Sequence, residues 1–196
     1  LLLHNGQLAD PRNIYARALK AVTSKRKKTD ADYEEIAKLE WMAGLYRFNE
    51  DLVLPDYMVE GVFVQGAKKS RRARDARAGI YVINHASLLY PGKPASIDDA
   101  VLEAMFASGD YVHTAQAVVN SKKVMRTRPI FREWSALVEM QYDPDVLNLR
   151  DVEQFITDAG RLSGIGDWRP KHGRFEAKVV DRPAVTEQIN QQLLAV

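Results

Sequence analysis

Apolar residues recur at helical spacing between positions 11 and 22, where Ile14, Ala18, Leu19 and Val22 follow Pro11 and predict a short helix. Thr29, Asp30 and Asp32 supply caps for a second helix over 31–45, with Tyr33, Ile36, Ala37 and Trp41 down one stripe and Gly44 near its end. Residues 47–54 hold no sustained period and are expected as a loop. Leu54-Pro55 opens a third helix, since proline suits a first helical turn, and Met58, Val62 and Ala67 mark its buried face. Val62-Phe63-Val64 within it has strand-like chemistry. The strongest amphipathic stretch is 150–160: Val152, Phe155, Ile156 and Ala159 fall at i, i+3, i+4 and i+7, and Gly160 is a natural stop.

Alternation with period two predicts strands over 78–84, 111–120, 134–142 and 174–180, the third ended by Asp143-Pro144. Asn120-Ser121 turns the chain into the basic run 122–128, and Pro91-Gly92-Lys93-Pro94 is a second turn. A helix over 97–108 is expected with Ser96 as cap and Asp98 and Asp99 at its positive end, and a terminal helix over 184–194. With no initiator Met, the chain is expected to begin inside a longer one, its first strand cut short. If the start supplies that strand, the order strand, helix, strand, strand, helix, strand follows. The expected class is therefore α+β: a ferredoxin-like antiparallel sheet with helices on one face and a helical insertion at 11–46. Residues 1–196 are read as a single domain, closed by a last strand and terminal helix at 174–196.

Composition narrows the functional classes. The 196 residues are 46% apolar and 28% charged, as in an ordinary globular chain, and no apolar run approaches the roughly 20 residues that span a bilayer. A cytoplasmic location and no membrane partner are the expectation. Cysteine is absent, which removes disulfides, thiolate metal sites and cysteine nucleophiles. The four histidines (His4, His85, His113, His172) are scattered in sequence, without a ligand-pair spacing, so neither metal nor cofactor is expected. No P-loop, dinucleotide fingerprint, HExxH or GxSxG occurs, and the chain is not expected to be an enzyme.

Charge changes the picture more through its placement than its sum. The net charge is only +2, yet the cations gather in four blocks. These are Lys25, Arg26, Lys27 and Lys28; Lys68, Lys69, Arg71, Arg72, Arg74 and Arg77; Lys122, Lys123, Arg126, Arg128 and Arg132; and Arg161, Arg169, Lys171 and Arg174. The acids gather at 30–40, 98–103 and 143–153. Like charges this dense repel one another in an isolated chain and point to a polyanionic partner. The second block reads as an exposed loop, and Arg126 and Arg128, near Trp134, as a basic and aromatic hairpin edge.

The helix-to-strand connection from Gly160 to Phe175 holds Gly160, Gly164, Gly166 and Gly173 beside Trp168, Arg169, Lys171 and Arg174. Glycine permits positive φ and close backbone approach, exposed amides bind anions, and an indole face accepts a stacked base. Gly164-Ile165-Gly166 through Gly173-Arg174-Phe175 resembles the glycine-rich loop of the RAMP superfamily, the ferredoxin-like subunits of CRISPR effector complexes. Leu54-Pro55 through Gly61-Val62 is similar to that family's Leu/Ile-Pro, spacer, Gly, apolar helix start. The helical stretch 11–45 has no counterpart in the pattern, and Trp168-Arg169-Pro170 interrupts the second glycine half. The chain also resembles compact bacteriophage open reading frames.

The resemblance implies single-stranded RNA or DNA held by sequence-independent phosphate contacts, with subunits oligomerising along the strand. The expected contacts are the lysines and arginines at 25–28, Lys68, Lys69, Arg71, Arg72, Arg74, Arg77, Arg126 and Arg128, together with Gly164, Gly166, Trp168, Arg169, Lys171, Gly173 and Arg174. Two alternatives stand beside it. One is a metal-independent endoribonuclease using His4, assisted by Tyr15 or Lys20. The other is an assembly protein whose basic loops dock an acidic partner, the acidic segments complementing the basic ones between subunits.

Overall fold

Helix α1 (Ile14–Thr23) starts where the Asn13 side chain accepts from the Tyr15 amide. Helix α2 (Asp30–Gly44) starts at a capping box in which Thr29 and Asp32 satisfy each other's backbone amides. Both are close to the helices that the sequence period predicts. This is a computed structural model, and it describes residues 1–119 and 121–180. Its class is α+β. Among the described residues no helix is long and apolar enough to cross a membrane.

The stretch 47–54, expected as a loop, is a hairpin of β1 (Arg47–Phe48) and β2 (Asp51–Leu54). Its tight turn relies on Asn49 at φ 53, a conformation asparagine tolerates better than most residues. Helix α3 (Asp56–Ala67) follows Pro55 and buries Val62, Phe63 and Val64. The strand-like run is helical because the helix is covered on more than one side, so a continuous apolar patch suits it. Against α6 (Leu149–Asp158) the approach is close: a Cβ on Gly66 would lie 1.8 Å from the Phe155 carbonyl oxygen. Leu52, Leu54, Phe63, Leu88, Leu147, Val152 and Phe155 belong to the core that these helices share with the sheet.

The basic block at 68–77 is ordered, not a loop. A 3-10 turn leads through Arg71 into α4 (Ala73–Gly79), which lies on α3. After β3 (Ile80–Val82) comes an unanticipated strand, β4 (Ala86–Leu89). Helix α5 (Asp99–Ser108) is capped by Asp98, whose side chain accepts from the Val101 amide, and not by Ser96. Strands β5 (Val112–Val119) and β6 (Lys122–Pro129) form the longest hairpin. The expected strand at 134–142 is divided: β7 (Ser135–Ala136) pairs with β4, and β8 (Met140–Tyr142) pairs with β3. A short apolar run gives no sign of changing partners midway.

Among the described residues the strand pairings are antiparallel and fall into the groups β1-β2-β4-β7, β3-β8 and β5-β6. The chain start extends the last group. Leu3 donates its amide to Pro129, Phe131 donates to Leu1, and Leu2 bridges Ile130. On the far side, the Asp167 amide donates to Leu2 at 2.7 Å. Residues 165–167, 1–3, β6 and β5 therefore lie side by side in that order. Helix α6 runs past the expected stop at Gly160 into a π turn over Ala159–Ser163. Residues 174–180, expected as the last strand, join no ladder among the described residues, while Phe175 packs on the core. The expected terminal helix at 184–194 lies outside the described residues.

Candidate functional site

Ala76 is buried and Ala73 packs on the core, which seats α4 on its neighbours and turns the longer side chains outward. Two cations in this block are nevertheless tied down. The Lys69 ammonium lies 2.8 Å from Asp158, which is 4% exposed and also accepts from Gln154. Burial acts to raise the Asp158 carboxyl, but Lys69, Gln154 and Arg161 outweigh it and hold it below the usual carboxylate range. Arg72 contacts Asp75 at 2.8 Å and Asp151 at 2.7 Å, donates to the Val146 carbonyl, and lies 5.8 Å over the Phe155 ring. Lys69 and Arg72, expected as phosphate contacts, thus join the 68–77 block to α6. Acidic residues in or beside the 143–153 stretch complement the basic block within one chain.

Lys68, Arg71, Arg74 and Arg77 are different. All four are exposed, and among the described residues no carboxylate or carbonyl engages their side chains. They occupy the 3-10 turn, its left-handed cap at Arg71 (φ 60) and the following helix, where the acid Asp75 is taken by Arg72.

The hairpin treats its arginines in the opposite way. Arg126 pairs with the buried Glu40 carboxylate of α2, which also accepts from the Thr127 amide at 2.9 Å. Arg128 Nε lies 2.8 Å from Asp167, a charge contact without hydrogen-bond alignment. Both arginines, expected to face nucleic acid, instead fasten the hairpin to α2 and to the glycine-rich loop. In the first block, Lys25 pairs with Asp32 at 2.5 Å and Lys28 donates to the Lys25 carbonyl. Arg26 and Lys27 remain exposed and unpaired among the described residues.

The glycine-rich loop spends its glycines on close backbone approach. A Cβ on Gly173 would lie 1.8 Å from the Ile165 carbonyl oxygen, and one on Gly166 would lie 2.3 Å from that of Leu2. The amides of Gly164, Ile165, Asp167 and His172 are already bonded inside the protein, so the expected anion cradle is largely occupied. Its side chains remain available. Trp168 is 39% exposed with the Lys171 ammonium 5.0 Å from its ring centroid, and Arg169 and Arg174 are exposed.

No family model matches the chain, and no curated protein or solved structure matches it.

The fold also brings together two residues that sequence spacing separates. The His113 and His172 rings lie 5.2 Å apart, each within 6 Å of the Trp168 ring. Nε2 of both is buried without a hydrogen-bond partner among the described residues. Burial is the main cause lowering the pKa of each; Arg128, Lys171 and Arg132 add to it at His113, and His113 and Lys171 at His172. No sequence signal pairs them, because one belongs to β5 and the other to the loop crossing it. His4 is exposed, and among the described residues no base or hydroxyl is bonded to its ring. Among the described residues no cluster of three or more His, Asp or Glu side chains is placed to hold a metal ion.

Proposed function

We propose that this chain binds single-stranded nucleic acid through its phosphate backbone, with Lys68, Arg71, Arg74 and Arg77 as the principal contacts. The observation that carries the reading is that these four cations stay exposed and unpaired among the described residues, while Lys69 and Arg72 of the same block are neutralised. Unpaired like charges on one ordered segment are stabilised by a polyanion, and phosphates are the polyanion that arginine forks fit best. Trp168, with Lys171 over its ring and Arg169 and Arg174 nearby in sequence, offers a face for one stacked base. Contacts of this kind carry no sequence information.

The ferredoxin-like arrangement is part of the same proposal. In that plan the first strand lies between the last and the third, with the second at the edge. The order 165–167, 1–3, β6, β5 supports it, with α1 and α2 in one crossover and α6 in the other. A RAMP-like ancestry rests on this order and on the loop's glycines.

The test is fluorescence anisotropy with labelled single-stranded RNA, single-stranded DNA and duplex DNA across a salt series. The expected result is tight binding to single strands that weakens steeply with salt. The triple variant Arg71→Glu, Arg74→Glu, Arg77→Glu keeps its circular dichroism and loses binding. A folded triple variant with unchanged affinity overturns the assignment.

A further inference from the structure

The β5–β6 hairpin has two edges, and the chain treats them differently. On β6, the Thr127 amide points away from β5 and is taken by Glu40. Thr127 is therefore in a non-hydrogen-bonded pair with Thr114 across the ladder, so the amide and carbonyl of Thr114 also point away from their partner strand. By alternation the same holds for Gln116 and Val118. No strand or helix among the described residues meets these groups. The side chains of Thr114, Gln116 and Val118 are exposed, Val118 at 70%.

Natural edge strands are blunted by lysine, proline or a bulge. Over Val112–Val119 the residues are Val, His, Thr, Ala, Gln, Ala, Val and Val, with no Lys, Arg, Asp, Glu or Pro, and the eight-residue ladder to β6 runs without a bulge. The neighbouring β6 carries Lys122, Lys123, Arg126 and Arg128. The hairpin's charge is thus confined to the strand that a partner on the β5 edge would not touch.

We propose that the β5 edge is an interface with a second copy of this chain, the two β5 strands pairing antiparallel about a two-fold axis through Gln116. The outward groups of Thr114, Gln116 and Val118 set the register, because only residues of that parity have amides to exchange. Gln116 then faces its own copy, and Thr114 faces Val118 of the other protomer. Each of these pairs is uncharged. The occupant is another β5 because a two-fold contact brings this uncharged edge against itself and leaves the cations of both β6 strands outside. The result is a continuous sheet in the order β6, β5, β5, β6, independent of any nucleic acid.

The absence of cysteine makes the register directly testable. Hydrogen-bonded antiparallel pairs place Cα atoms about 5.5 Å apart, inside the disulfide range, whereas a four-residue offset separates them by about 14 Å. Under mild oxidation, Gln116→Cys alone forms a covalent dimer. Thr114→Cys and Val118→Cys each stay uncrosslinked alone but crosslink when mixed. Sedimentation of the unmodified protein without nucleic acid gives twice the 22.2 kDa chain mass, and Gln116→Lys returns it to one. A monomer at all concentrations overturns the proposal, as does self-crosslinking of Thr114→Cys equal to that of Gln116→Cys. Circular dichroism of Gln116→Lys separates loss of pairing from loss of folding.

Discussion

The α4 segment and the two arginines of strand β6 both lie in basic runs and are opposite in use. Around α4, four cations meet no carboxylate among the described residues, whereas Lys69 and Arg72 are held. In β6, Arg126 and Arg128 are each matched to an acid, one of them the buried Glu40, while Lys122 and Lys123 at its turn end are exposed. The difference teaches that a basic run identifies a binding surface only where the fold supplies no counter-charge. A paired arginine at a buried carboxylate is part of the folding machinery, and its loss registers as stability before it registers as affinity.

The largest effect expected from this contrast is at Arg126. Arg126→Ala leaves Glu40 buried with only the Thr127 amide, and urea unfolding is expected to show a loss of about 3 kcal/mol. Adding Glu40→Gln recovers much of that loss, because the uncompensated charge goes with it. A variant as stable as the parent breaks the comparison on the β6 side. Lys69→Met is next, with an expected loss of about 1–2 kcal/mol from its buried partner Asp158, while Lys68→Met stays within about 0.5 kcal/mol.

On the α4 side, Arg74→Ala leaves the melting temperature unchanged and lowers the single-strand salt slope by about 0.7. A slope equal to the parent's removes Arg74 from the interface. The smallest effect is in pH. His113 and His172 are held neutral, with pKa values below the ordinary histidine range. Unfolding restores ordinary basicity, so the unfolded state binds more protons as pH falls through about 6.5, and stability decreases below that point. Thermal melts from pH 7.5 to 5.5 are expected to fall more for the parent than for His113→Gln.

Much of the fold was legible because helices advertise themselves locally. The period at 11–22 and 150–160, Pro55 and the cap at Thr29 involve residues a few positions apart, and the helices at 14–23, 30–44, 56–67 and 149–158 follow. The short strands were less legible. Nothing in Ser87-Leu88 announces a partner in both β2 and β7, and nothing in 134–142 shows that it serves two sheets. The 68–77 block looked like a loop because its charges mask the buried Ala76 that seats α4.

What the sequence determined by itself is the helix register, the long β5–β6 hairpin, the segregation of charge and the absence of thiol chemistry. Each of these depends on residue type or on neighbours along the chain. Only the tertiary structure decided which cations are paired, that the loop's glycines serve chain-to-chain contact, that His113 and His172 meet, and that no described strand pairs with the outer edge of β5. Those properties belong to pairs of groups brought together across the fold. Burial and counter-charge are set by what lies opposite a side chain in space, which local pattern does not encode.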